Sequence, residues 1–118
     1  MNTLMIGIGG ALGAISRYKI NEYIDNLNPA FFYFGTFFVN LFGCFLIGLL
    51  FGFSANEKSF VNNFFIIGFL GSFTTMSAFT NHSISLINTS FINGFSYIIA
   101  TIILCFMATY IGLNISND

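Results

Sequence analysis

The chain has 118 residues, of which 56% are hydrophobic, 19% aromatic and only 6% charged. A soluble domain carries roughly a quarter of its residues as Asp, Glu, Lys and Arg, so this one lacks the ions to cover a surface in water, and its 18 Phe exclude a disordered chain. A net charge of -1 with three basic residues gives nucleic-acid binding no electrostatic basis, which leaves a membrane protein with the lipid bilayer as its solvent.

A helical span needs about 20 mostly apolar residues to cross a hydrocarbon core of roughly 30 Å, and four such spans fit. The first covers residues 3–23 and ends around Arg17, Lys19 and Glu22. It lacks a basic segment ahead of its apolar run, so it reads as a retained helix rather than a signal peptide. The second covers 31–53 without a charge, after a connection holding Pro29. Between Lys58 and Asp118 there is no Asp, Glu, Lys or Arg, a length suited to two helices, 60–87 and 91–113, parted near Asn88-Thr89-Ser90. Runs such as Phe64-Phe65-Ile66-Ile67 do not alternate as the strands of a closed barrel must, so helices are expected. The expected fold is all-α, a single four-helix transmembrane domain over 1–118. Orientation is normally set by Lys and Arg on the cytoplasmic side. Here one face offers Lys58 and the other Arg17 and Lys19, the balance that a chain inserting in both directions would show and that singly oriented chains also often show.

In a bilayer the informative residues are the polar ones and the glycines. Gly9 and Gly13 have the spacing of a tight helix crossing. Arg17 either snorkels to the interface or stands as a fixed charge drawing anions in. Asn40 lies halfway along an apolar span, where its amide either bonds another helix or donates to a passing anion. From Gly68 to Thr80, two glycines, Ser72, Thr74 and Thr75 interrupt the third span. Ser and Thr compete for backbone hydrogen bonds, so a break near 71–75 is expected, with carbonyls freed for a hard cation. Ser77 and Thr80 add hydroxyls and Phe79 an aromatic edge. Tyr97, Thr101 and Cys105 recur at four-residue spacing on one helical face, either a packing stripe or a hydroxyl track. Cys44 and Cys105 have no CxxC spacing and read as small buried hydrophobes. A single His82 leaves too few ligands for a transition metal.

These residues carry a resemblance to the Fluc/CrcB family of fluoride channels along the whole chain. The carriers are Gly-Gly-x-x-Gly-Ala-x-x-Arg-Tyr at 9–18, Gly-Thr-x-x-Val-Asn-x-x-Gly at 35–43 and Gly-Phe-x-Gly-Ser-x-Thr-Thr-Met-Ser-x-Phe at 68–79. The resemblance implies an antiparallel, dual-topology homodimer with a broken third helix. It implies two passive pores exporting fluoride from the cytoplasm across the inner (plasma) membrane. It also implies a structural Na+ at the dimer axis, held by the backbone carbonyls of Gly71 and Thr74. Asn40, Ser77, Phe79, Tyr97 and Thr101 then line each pore, with Met76 and Thr80 beside them. Fluoride is small and strongly hydrated, so a pore must replace its water with amide and hydroxyl donors and the positive rim of a phenyl ring. Four positions depart from the family pattern: Met76 for a usual Phe, Ala78 for Thr, Ser72 for Gly, and His82 for a Glu common near a vestibule. Two other classes are weighed beside this one. A proton-coupled multidrug-type exporter needs a membrane-embedded carboxylate, whereas Glu22 and Asp25 sit at the end of the first helix. A non-conducting membrane assembly factor is the second.

Overall fold

With no water at bilayer depth, each apolar run must satisfy its own backbone donors, and the helix is the local way to do so. The structure, a computed structural model, describes residues 2–28, 30, 32–53 and 60–117. Pro29, Lys58 and the rest of the second connection lie outside the described residues. The elements are α1 (Asn2–Leu27), α2 (Phe34–Phe53), a π-wound segment (Val61–Leu70), the single turn α3 (Gly71–Phe73), α4 (Met76–Thr89) and α5 (Phe91–Asn117).

Three helical stretches are long and apolar enough to cross a membrane: Phe34–Gly52, Val61–Thr89 and Phe91–Ser116. α1 is long enough, but its glycines and its Arg17, Lys19, Glu22 and Asp25 make it the least apolar of the four. It extends to Leu27, beyond the expected end at 23. The chain is therefore a multi-pass, all-helical membrane protein, 45 Å in its longest dimension.

Burial differs from that of a soluble domain in which residues stay outside. Thr36, Asn63, Ser83 and Thr101 are buried, while Phe106 is 76% and Ile92 74% exposed. Lipid solvates such side chains at no cost, so the exposed apolar belt is expected of a span. What brings helices together in lipid is close backbone approach. α1 lies against the π-wound segment so tightly that a Cβ at Gly9 would meet the Phe64 carbonyl, and one at Gly13 the Phe69 carbonyl. α2 pairs with α5 in the same way, Gly48 against the Thr109 carbonyl and Gly112 against the Phe45 carbonyl. Thr109 Oγ1 donates to the Cys44 carbonyl across that seam at 3.1 Å.

The third span differs from the uniform α-helix expected on either side of the break. Its first ten residues are wound as a π-helix, and the Gly71 amide reaches back five residues to the Ile66 carbonyl. Wider turns of this kind are rare, usually single, and frequent at functional sites. The chain leaves the helix at Thr74 and Thr75 and resumes at Met76. A small core of Val39, Leu70 and Phe73 packs beneath that point.

Candidate functional site

Thr74 (φ -82°, ψ 155°) and Thr75 (φ -148°, ψ 119°) are extended between α3 and α4. Every polar bond nearby follows from that interruption. The Thr74 amide and its Oγ1 both donate to the Leu70 carbonyl, each at 3.1 Å. Thr75 caps α4, its Oγ1 accepting from the Ala78 amide at 3.2 Å. Asn40, reaching over from α2, holds both backbone groups of Thr75. Its Oδ1 accepts from the Thr75 amide at 2.8 Å, and its Nδ2 donates to the Thr75 carbonyl at 3.0 Å. On the α1 side, Arg17 Nε donates to the Ser72 carbonyl at 3.1 Å.

The bonds that are diverted matter as much as those formed. In a continuous helix the Thr75 amide would serve the Gly71 carbonyl and the Ala78 amide the Thr74 carbonyl. Both amides are committed elsewhere, so the carbonyls of Gly71 and Thr74 have lost their helical donors. No group of three His, Cys, Asp or Glu gathers among the described residues. Two bare carbonyls suit a hard cation with oxygen ligands, such as Na+, and offer nothing to a soft one.

Beside the break a cavity of about 290 Å³ opens between α2, α4 and α5. Of the residues singled out from sequence it collects Asn40, Cys44, Thr74, Thr75, Met76, Phe79, Thr101 and Cys105. Phe79 is buried whereas Met76 is 70% exposed, so the two present themselves quite differently. The Phe79 ring lies 5.5 Å from the Tyr97 ring, inclined at 43°. Tyr97 borders a second cavity of about 370 Å³ with Tyr33, Phe37, Asn93 and Ser96. The Phe79–Tyr97 contact therefore lies between the two cavities. Tyr97 Oη and Thr101 Oγ1 are buried close to each other, and neither forms a hydrogen bond of good geometry. Unmet buried hydroxyls are uncommon and call for a reason, and a ligand that accepts hydrogen bonds supplies one.

Ser77 and Thr80 line neither cavity and are exposed. Ser77 Oγ lies 3.2 Å from Thr75 Oγ1, and Thr80 Oγ1 donates to the Ser77 carbonyl at 3.0 Å. Arg17 stands on the opposite side of the break from the cavity-lining groups, half-buried.

Residues 4–113 match the family described as CrcB-like protein, Camphor Resistance (CrcB). The chain belongs to the CrcB family. Similar proteins named fluoride-specific ion channel FluC extend the match. One from Dehalococcoides mccartyi is 39% identical over 92% of this chain and 87% of its own length. Another, from Flavobacterium psychrophilum, is 36% identical over 96% and 94%. A third, from Campylobacter jejuni, is 36% identical over 95% of each. These relatives are named as channels, a non-enzymatic activity.

Two features of the site were out of reach of sequence. One is the Asn40–Thr75 clamp. An interhelical hydrogen bond was one of the two readings of Asn40, but its partner lies 35 residues away on another helix. The other is the placement of Cys44 and Cys105, which line the same cavity as Asn40 and Phe79. Their separation of 61 positions leaves no spacing signal.

Proposed function

We propose that this protein is a passive fluoride-selective channel that exports fluoride from the cytoplasm across the inner membrane. The observation that carries the reading is the likeness, over nine-tenths of the chain, to proteins named fluoride-specific ion channels. The site supports it chemically. Asn40 spends one N–H on Thr75 and keeps a second, while Tyr97 and Thr101 hold unmet hydroxyls, with the Phe79 rim between them. A small anion leaving water needs such donors, and a constriction sized for it would exclude a larger one. A proton-coupled exporter finds no carboxylate in 31–53 or between Lys58 and Asp118.

The active form in this proposal is an antiparallel homodimer with two pores. Non-helical backbone at membrane depth must be covered by protein or face a cavity. Gly71 is exposed on the single chain and its carbonyl lacks a helical donor, so a second copy is needed to cover it. Near-equal charge on the two faces allows that copy to insert in the opposite sense. The carbonyls of Gly71 and Thr74 would hold Na+ at the shared axis, where it supplies positive charge that offsets the unpaired oxygens.

Liposomes loaded with potassium fluoride, made permeable to K+ by valinomycin and followed with a fluoride electrode, test the function. Rapid fluoride release beside negligible chloride release is expected. A folded preparation that releases no fluoride, or both anions alike, overturns it.

A further inference from the structure

Cys44 and Cys105 are the only cysteines in the chain, and both are free thiols. The seam between α2 and α5 places them side by side. Thr109, one helical turn beyond Cys105, bonds the Cys44 carbonyl at 3.1 Å, and both cysteines line the cavity that holds Asn40, Phe79 and Thr101. Met76 brings a thioether to the same cavity.

We propose that Cys44 and Cys105 form a two-thiolate binding site for soft d10 cations that favour linear coordination. Three features support it. Sulfur ligands select soft ions, and two of them complete the coordination that such ions prefer, whereas Zn2+ would lack two ligands here. Both thiols are partly accessible, and the cavity gives the ion a way in. The charge also balances when the ion is Hg2+. Two S–H bonds break, two S–Hg bonds form and two protons leave, so the site stays neutral and escapes the cost of burying a charge.

An ion held there also stands in the cavity assigned to fluoride. Block of conduction is thus a second consequence, and it rests on the channel reading.

The test uses Hg2+ in chloride-free buffer on the intact protein. Mercury–thiolate ultraviolet absorption should saturate at one Hg2+ per chain. One equivalent should also protect both cysteines of the wild-type protein from N-ethylmaleimide, read by intact mass. Cys44→Ser and Cys105→Ser should each weaken binding by about a hundredfold or more, because the second thiolate acts at high effective concentration. Saturation at two ions per chain, or protection of one cysteine only, overturns the shared site, and that arm needs no variant. In liposomes, fluoride release relative to the untreated sample should fall sharply for wild type and much less for either variant. Full release with the ion bound overturns the block. Absence of release before Hg2+ is added counts against the channel reading and leaves the stoichiometry standing.

Discussion

Replacing Asn40 by Asp changes one atom and separates the two duties of this residue. The retained Oδ1 still accepts from the Thr75 amide at 2.8 Å, but the group facing the Thr75 carbonyl at 3.0 Å becomes an oxygen. That carbonyl loses its donor, at a cost of about 1–3 kcal/mol for an unmet polar group away from water. The anion loses more. The spare N–H disappears and a full negative charge replaces it. Two like charges about 4 Å apart repel by about 4 kcal/mol at an effective dielectric constant near 20, which lowers a rate by about a thousandfold. Asn40→Asp should therefore yield a dimer of reduced thermal stability on size-exclusion chromatography, with fluoride efflux near the background of empty liposomes. Asn40→Ala provides the comparison, since it frees both Thr75 groups without adding charge. Its larger deficit should be in the yield of folded dimer. An Asn40→Asp dimer that releases fluoride within about tenfold of wild type would show that the side chain serves Thr75 alone.

Tyr97→Phe and Thr101→Val remove hydroxyls that are buried and unmet, so each should leave thermal stability unchanged or raise it by about 1 kcal/mol while slowing fluoride release at least tenfold; a loss of stability with normal flux would assign these groups to packing. Gly13→Ala puts a methyl into the Phe69 carbonyl, whereas Gly7 has nothing within 4 Å of its added Cβ. The first should abolish recovery of folded protein, since overpacking against backbone costs about 1–3 kcal/mol or more. Gly7→Ala should be neutral, and equal behaviour of the two would refute the tight α1 crossing. Exchange of Na+ for K+ or N-methylglucamine should lower the unfolding temperature of the dimer, by the loss of about 2.7 kcal/mol if Na+ had stood at a hundred times its dissociation constant. Indifference to the cation would remove it from the Gly71 and Thr74 carbonyls.

The helices were legible because hydrocarbon length and the absence of charge are local properties of the sequence. The interruption was legible for the same reason. Ser and Thr side chains bond nearby backbone, and Thr74 and Thr75 do so here with Leu70 and Ala78. The π-winding from Val61 to Leu70 was not legible. It accompanies a close approach of α1 backbone to the carbonyls of Phe64 and Phe69, and no residue within the segment announces that neighbour. The site divided similarly. Asn40, Met76, Phe79 and Thr101 converge on one cavity, while Ser77 and Thr80, three residues apart and polar like Asn40 and Thr101, face outwards. Register on a helix whose start is set by a cap at Thr75 decides which hydroxyls look inward, and that register depends on where the break ends. Arg17 shows the same limit. Sequence offered the interface or the anion, and the structure puts its Nε on the Ser72 carbonyl.

One local rearrangement connects the two halves of the proposed mechanism. Turning the Thr75 amide to Asn40 removes the donor from the Gly71 carbonyl, which prepares an oxygen for a cation. The same extended conformation starts α4 with a capped turn, and so fixes the direction in which Phe79 meets Tyr97. In the proposed mechanism Asn40 therefore sits between the cation ligands and the anion donors, bonded to the residue that sets both. If that reasoning holds, the cation response and the fluoride response are not separable by mutation at this position. Asn40→Ala should blunt the stabilising effect of Na+ as well as the flux. Tyr97→Phe, one step removed from the break, should reduce the flux and leave the Na+ response intact.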